Sequence, residues 1–269
     1  MVAQEIIPQT KCCYIAYLDI LGTKTHIEET DSLGKMYEIY QFTLEMLRHR
    51  NESVETEIVV KIFSDNILVS IEKSEDYQKS LEQLDDLIHF VALFQLAAFI
   101  KGNWLTRGCI TEGELYANKD DNIFVWGKGL IRAYRLEEAI AFYPRIIIDS
   151  GHNGLVANAV ILSSTHATDG FQSVPPIPLQ MDTDSYWYIS YEEIQNENGE
   201  PIFLQQIKNS LEIQLHNFVA SAVNDDKINQ KLSWAIKYHN SICEKYSLSM
   251  FEVDMNQLNE NVVESGGAA

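Results

Sequence analysis

The sequence lacks a cysteine or histidine pattern typical of a zinc site and has none of the common nucleotide-binding motifs. Its 269 residues include four cysteines without metal-ligand spacing and seven histidines, no two of which lie four residues apart. Both patterns argue against a zinc site, and we expect the cysteines to be reduced packing residues. The Walker A loop, the G-x-G-x-x-G fingerprint and the G-x-S-x-G elbow are missing. Their absence excludes the commoner routes to nucleotide binding and acyl transfer.

Long apolar runs and positive charge are also scarce. The longest strongly apolar stretch, residues 87–100, is shorter than the roughly 20 residues that span a bilayer. The first residues lack a basic region followed by a long apolar run, which argues against a secretory signal. We therefore expect a cytoplasmic protein that binds no membrane. The formal charge of −19 argues against nucleic-acid binding, because such binding needs Lys and Arg to neutralise phosphates.

The basic residues are concentrated in one part of the chain. Residues 101–145 hold seven basic and six acidic side chains, whereas the remainder is strongly acidic. A small anionic ligand is therefore expected to bind in this segment.

The spacing of apolar residues predicts an α+β fold. In chain order we expect a strand at 12–20, a helix at 24–50, a hairpin at 57–72, a helix at 80–101, a strand at 104–116, a helix at 127–143 and a strand at 145–149. This order predicts a sheet covered on one side by helices.

The pattern weakens after residue 150. We expect a loop-rich stretch there, followed by a strand at 185–191 and a helical pair at 202–223 and 227–246. The predicted organisation is a core domain over residues 1–150, an extension over 151–260 that packs on it, and a flexible tail over 261–269.

Two aspartates stand in apolar strand sequences, where a solvated carboxylate is not expected. Asp19 ends YIAYLDI, and Asp65 lies at the predicted tip of the hairpin in KIFSDNIL. If the first strand pairs beside the hairpin, both carboxylates reach one edge of the sheet and could hold two divalent cations. The alternative is a helix N-cap for Asp19 and an ordinary turn residue for Asp65.

Three cations recur at helical spacing in the basic segment. Lys128, Arg132 and Arg135 lie at i, i+4 and i+7 and form one stripe that could bind phosphate oxygens. The alternative is a solvated helix face.

Several motifs occur together in a recognisable order. Over residues 12–149 the chain reads YLDILGTK, KIFSDNILVSI, RGCITEGELY, FVWGKGLIRAYRLEEA and RIIID. In order and spacing these motifs resemble the class III nucleotide cyclase domain, whose core is a ferredoxin-like βαββαβ unit. MDTDSYWYISY and KLSWAIKYHN in the extension are similar to the pyrimidine cyclases of the bacterial Pycsar anti-phage systems.

The resemblance implies a role for specific residues. Asp19 and Asp65 would bind two Mg²⁺ or Mn²⁺ ions in each active site, with a backbone carbonyl from Ile20. Lys61 would occupy the base-reading position. Arg135 would stabilise phosphate charge across the interface of a homodimer, so that each site needs both protomers.

Three positions differ from the family's pattern. Ser64 replaces the usual glycine before Asp65, Ile131 replaces an asparagine one turn before Arg135, and Phe124 replaces the acid that contacts adenine. Loss of that acid favours a pyrimidine, and the missing asparagine gives Arg132 a compensating role on the phosphates.

The resulting hypothesis is a phosphorus-oxygen lyase that converts UTP to 3′,5′-cyclic UMP and pyrophosphate. Its product would be a second messenger read by a separate cyclic-nucleotide-binding effector in anti-phage defence. The alternatives are a cytidylate cyclase acting on CTP, a catalytically silent nucleotide-sensing module, and an interaction protein that works through its C-terminal helical pair.

Overall fold

The computed structural model describes residues 9–22, 31–50, 57–117, 124–164, 176–196, 198–220 and 225–256. Its first half contains β1 (Lys11–Ile20), α1 (Ser32–Arg50), β2 (Ile58–Phe63), β3 (Asn66–Glu72), α2 (Tyr77–Gly102) and β4 (Thr106–Ala117). These four strands lie in the order β2-β3-β1-β4, and all neighbours are antiparallel. A βαββαβ unit with this strand order is ferredoxin-like, so the predicted fold class is confirmed.

The second half continues the same sheet. It contains β5 (Val125–Trp126), α3 (Lys128–Ala139), β6 (Ile146–Ile148), α4 (Asn153–Ser164), β7 (Leu179–Met181), β8 (Trp187–Ile189), α5 (Leu204–Ala220) and α6 (Asp226–Lys245). Strand β6 pairs parallel with β4, β8 pairs antiparallel with β6, and β7 closes that edge. Strands from beyond residue 150 therefore belong to the sheet of the core.

Helices cover both faces of the sheet, which corrects the prediction of helices on one side. The Tyr14 hydroxyl is 2.7 Å from the Ser80 hydroxyl of α2, whereas the Tyr17 ring packs edge-on against Tyr134 of α3. Residues three apart on a strand point to opposite faces, so α2 and α3 lie on opposite sides. A Cβ at Gly113 of β4 would lie 2.9 Å from the Gly129 backbone, and this close approach requires glycine.

Helix α2 is the core helix of the fold. It is long and apolar enough to cross a membrane by length and composition, but 94% of the apolar window is buried inside the protein. Asp76 caps its start by accepting a hydrogen bond from the Lys79 amide at 2.8 Å. Its apolar character is therefore explained by packing between the sheet and α1, which it contacts extensively.

Two helix boundaries differ from the sequence predictions. Helix α4 occupies part of the stretch predicted as loop. The sequence did not predict this helix because NGLVANAVILSS is apolar on most sides and has no single helical stripe. Helix α3 ends at Ala139, four residues earlier than predicted, and the chain turns before Pro144. The predicted start of the first helix at residues 24–30 and the tail at 261–269 lie outside the described residues.

A buried polar pair anchors α6. His239 donates from Nδ1 to Glu192 at 2.7 Å and from Nε2 to the Phe251 carbonyl at 2.9 Å, so both ring nitrogens carry protons. Burial alone would lower the pKa of His239, but hydrogen bonds with Cys243, Glu192 and Phe251 outweigh it and raise that pKa to about 10. The imidazolium is therefore part of the folded state at neutral pH.

Candidate active site

Asp19 and Asp65 meet at one end of the central strands. Asp19 lies opposite Asn66 in the β1–β3 ladder, and Asn66 directly follows Asp65. The Ile20 amide donates to the Asp65 carbonyl at 3.1 Å, which ties the end of β1 to the hairpin turn. Strand pairing thus brings together two acids that are 46 positions apart in the sequence.

One oxygen of each carboxylate is fixed by a neighbouring side chain. Arg107 Nε donates to Asp19 Oδ2 at 2.8 Å, and Asn66 Nδ2 donates to Asp65 Oδ1 at 3.1 Å. Tyr17 in turn donates to Asn66 Oδ1 at 2.8 Å. Within the described ranges, the second oxygen of each carboxylate makes no hydrogen bond. Both acids are therefore oriented, and each keeps an oxygen available to a ligand.

The electrostatics of the pair suit a cation. Burial raises the pKa of Asp19, and the negative charge of Asp65 adds to that effect, although the hydrogen bond from Arg107 opposes it. A divalent cation between the carboxylates would relieve this repulsion. No group of three or more His, Cys, Asp or Glu side chains suited to a metal occurs among the residues that the structure describes. Any cation here would therefore need further oxygen ligands from the backbone, water or a substrate.

Arg107 connects Asp19 to helix α3. Its Nη2 is 2.5 Å from Glu137 Oε1, and its Nη1 donates to the Ala141 carbonyl at 3.3 Å. Glu137 is 4% exposed, and burial raises the pKa of its carboxyl. One guanidinium thus serves two carboxylates, one on the site and one on the helix that carries the basic stripe.

Lys61 lies on the same face of the sheet as Asp19. The ladder places Lys61 opposite Leu68, and Leu68 opposite Tyr17, whose ring contacts α3. Its side chain is buried, at 6% exposure. A lysine at this position is an unusual core residue, and its burial beside the acids keeps it a candidate for recognising a polar ligand group.

Phe124, which replaces the acid that contacts adenine in the family's pattern, lies just before β5. Its ring is parallel to Trp126 with 6.4 Å between centroids, and it is tilted against Tyr116. Both Phe124 and Trp126 are exposed, at 47% and 66%. These aromatic faces could stack on a flat ring, but the assignment of Phe124 to the base stays a prediction.

The basic stripe of α3 lines a groove of about 500 Å³ together with three apolar residues. The groove residues are Lys128, Ile131, Arg132, Arg135, Leu136 and Ile140. Lys128 Nζ is 3.5 Å from Glu114 and its side chain is 89% exposed. Arg135 is exposed and makes no ion pair or hydrogen bond with any residue in the described part of the chain. Arg135 is therefore an exposed cation that is available to an anionic ligand.

Arg132 is engaged within the protomer. It binds Asp149 through Nε and, at 2.7 Å, through Nη2, and Thr111 donates to the same carboxylate at 2.6 Å. Burial alone would raise the pKa of Asp149, but the hydrogen bonds from Arg132 and Thr111 outweigh it and hold the pKa below its ordinary value. The two N–H groups of Nη1 and the second N–H of Nη2 are left for a phosphate.

The sequence alone does not indicate Arg107, Glu137 or Asp149 as residues of the site. Arg107 stands directly opposite Asp19 in the β1–β4 ladder, so the strand register was the one signal that could have found it. Glu137 and Asp149 carry no comparable signal, because their importance follows from the packing of α3 on the sheet.

Comparison with known proteins gives matches among solved structures only. No family model matches the chain, and no curated protein is similar to it. Among solved structures, it is similar to a bacterial light-regulated adenylyl cyclase, with 13% identity, 72% of this chain and 55% of that chain covered, and a TM-score of 0.39. The chain thus spans about half the length of that protein.

Two further structures give similar values. The catalytic core of a rhodopsin-guanylyl cyclase in complex with ATPαS has 12% identity and a TM-score of 0.40, with 68% of this chain and 97% of that chain covered. A class III adenylyl cyclase-like ATP-binding protein from Pseudomonas aeruginosa has 12% identity and a TM-score of 0.38, with 61% and 39% covered. The fold class itself rests on the strand order of the sheet rather than on these superpositions.

Proposed function

We propose that the chain is a homodimeric, metal-dependent nucleotide cyclase that converts UTP to 3′,5′-cyclic UMP and pyrophosphate. The observation that carries the proposal is the meeting of Asp19 and Asp65, each with one fixed oxygen and one available oxygen. Strand pairing supports the proposal, because it brings these two acids, which the class III motifs predict as metal ligands, to one end of the sheet.

The donor set fits Mg²⁺ or Mn²⁺. Two half-buried carboxylates whose charges repel each other, with the backbone of Ile20 between them, would hold these ions together with substrate phosphates. When bound, the ions supply neutralisation of the triphosphate and make the ribose 3′ hydroxyl more acidic. Arg107 and Asn66 hold the two carboxylates in place before any ligand arrives.

Arg135 acts on the site of the other protomer. Ala133, Leu136 and Glu137 form the buried side of α3, which faces the sheet and Asp19. Arg135 lies on the opposite, exposed side with Ile131. Since it faces away from the acids of its own chain, a role in catalysis requires a second copy. An arginine aimed at developing phosphate charge is worth about 3 kcal/mol of barrier.

The reaction is an intramolecular displacement. The ribose 3′ oxygen attacks the α-phosphorus, the bond from that phosphorus to the bridging oxygen of the β-phosphate breaks, and pyrophosphate leaves. Lys128 and the N–H groups of Arg132 that Asp149 does not accept from bind phosphate oxygens beside Arg135. Lys61 is a pure donor that can serve a pyrimidine carbonyl, and Phe124 offers no acceptor to the amino group of adenine.

The decisive experiment is incubation of the purified chain with Mn²⁺ and equimolar ATP, GTP, CTP and UTP, followed by product identification. We expect cyclic UMP to predominate. Cyclic CMP as the main product would make the chain a cytidylate cyclase, and a purine product would overturn the pyrimidine assignment. The anti-phage role and the effector that reads the product belong to the same proposal through the sequence resemblance alone.

One observation favours a silent nucleotide-sensing module as the second candidate. Ile131 is 54% exposed in the groove beside Arg135, where a polar residue would otherwise assist the phosphates. Nucleotide binding without turnover of any of the four triphosphates would select this candidate.

A further inference from the structure

One residue of the C-terminal extension approaches the candidate active site. Lys231 lies in the second turn of α6, and its ammonium is 5.3 Å from the centroid of the Phe142 ring. Phe142 follows Ala141, whose carbonyl accepts a hydrogen bond from Arg107. Arg107 is the residue that holds Asp19. The extension therefore places a cation over Phe142, the residue that follows the carbonyl bound by Arg107.

The charges of the site reach this ammonium. Burial lowers the pKa of Lys231, and the positive charge of Arg107 lowers it further, while the negative charge of Asp19 opposes them. Conversely, the charge of Lys231 acts on the carboxyls of Asp19 and Glu137 and favours their ionised forms. Lys231 thus belongs to the same electrostatic environment as the acids.

Among the residues that the structure describes, Lys231 has no anionic partner of its own. Across the described segments, no carboxylate lies within ion-pair distance of its ammonium, and it donates no hydrogen bond. A half-buried ammonium normally pairs with a carboxylate or extends into solvent. Its three donor hydrogens are therefore available to a bound anion.

The helix that carries Lys231 is firmly held. Trp234, one turn further along α6, stacks on Tyr143 with 5.8 Å between centroids and donates to Asp182 at 3.0 Å. Asp182 also binds the guanidinium of Arg145, which is 1% exposed. Because Tyr143 follows Phe142, the same packing fixes the ring beneath the ammonium. Lys231 is thus positioned before a ligand binds.

We propose that Lys231 is a phosphate-binding residue that the extension contributes to the active site, where it binds the polyphosphate of the substrate. The inference rests on the proposed function for the identity of that substrate. The chemistry is general, since an ammonium is a compact point charge suited to phosphate oxygens.

The test compares Lys231→Met, which keeps the apolar stem and removes the charge, with Lys237→Met as the matched control. Lys237 is exposed on the same helix and makes no contact with the site. The affinity of inorganic tripolyphosphate is measured by calorimetry in the presence of Mn²⁺, and the KM for UTP is measured in parallel. We expect Lys231→Met to weaken tripolyphosphate binding by about tenfold to a hundredfold.

Two further variants complete the design. Lys231→Arg retains the charge and is expected to bind within about threefold of the unmodified chain, which a purely structural role would not predict. Thermal unfolding accompanies each measurement. If Lys231→Met does not fold, Lys231→Gln replaces it in the same comparison.

The possible results separate the inference from the proposed function. Unchanged tripolyphosphate affinity in folded Lys231→Met, or no binding by the unmodified chain, would overturn the inference even if UTP is cyclised. Weaker binding in Lys231→Met but not in Lys237→Met supports it. If that difference appears while no triphosphate is cyclised by the unmodified chain, the inference stands and the cyclase proposal fails.

Discussion

Replacing Arg107 by methionine tests the connection between the site and α3. The substitution keeps an apolar stem and removes the guanidinium that holds Asp19 and Glu137. Glu137 has a side chain only 6% exposed and would lose its charged partner, whereas Asp19, at 16%, lies closer to solvent. The cost therefore falls mainly on Glu137.

The magnitude follows from the burial of the two groups. Breaking a buried ion pair by removing one partner costs about 3–5 kcal/mol. The Arg107 side chain is 20% exposed, so we expect the lower end, about 3 kcal/mol of unfolding free energy. Burial already raises the pKa of Glu137, so the orphaned carboxyl can take up a proton, which limits the loss.

The sign of the pH dependence follows. In Arg107→Met the folded-state pKa of Glu137 is raised further above its unfolded value. At low pH the carboxyl is protonated in both the folded and the unfolded state, so no unpaired charge is buried. The destabilisation is then expected to be small near pH 5 and to grow as pH rises to 8. Urea unfolding at the two pH values, at equal m-value, measures it.

A second substitution provides the matched comparison. Glu137→Gln in the Arg107→Met background removes the unpaired charge, and we expect it to restore at least about 1 kcal/mol at pH 8. A loss below about 1 kcal/mol in Arg107→Met at pH 8, or strict additivity of the two substitutions, would refute the reasoning.

The remaining predictions concern the acids, the dimer, the hairpin and α6. Asp19→Ala or Asp65→Ala should abolish cyclisation while the protein stays folded, and turnover by either variant in metal-treated buffer would contradict the two-metal site. Mixed Asp65→Ala and Arg135→Ala chains should regain partial activity after proven subunit exchange, whereas absence of rescue argues for sites within one protomer. Ser64 has φ of 59°, so Ser64→Gly should stabilise the chain by up to about 1 kcal/mol in urea unfolding. The pKa of His239 is raised to about 10 in the folded state, so protonation of this imidazole stabilises the fold fully below the unfolded-state pKa near 6.5. The stabilisation is lost as the pH rises, so the melting temperature should fall between pH 7 and 10, and it should fall less steeply in His239→Gln.

The core of the fold could be predicted because its information is local. Strand β1, the hairpin of β2 and β3, and helix α2 each carry their own apolar period and turn residues, and their boundaries agree with the structure within three residues. Helix α4 could not be found in this way, since an evenly apolar segment has no helical stripe. The short strand β7 has three residues and gives too little pattern to detect.

The two acids of the site could be predicted for a similar reason. Asp19 and Asp65 are conspicuous in apolar strands, and antiparallel pairing of β1 with the hairpin is enough to bring them together. The same does not hold for the cations. Arg132 and Arg135 lie on neighbouring sides of the same helix. Within the described ranges only Arg132 of these two binds a carboxylate, because β6 places Asp149 beside it.

The residues that surround the acids depend on contacts between distant parts of the chain. Arg107 reaches Asp19 through the register of β4, and Lys231 reaches the same environment from a helix more than 200 residues beyond Asp19. The link between them is Phe142, whose neighbour Tyr143 stacks on Trp234 of α6, and Trp234 donates to Asp182. The extension therefore acts on the acids through contacts between segments that are distant in the sequence. Substitutions at these contacts in the extension are expected to change ligand binding as well as stability.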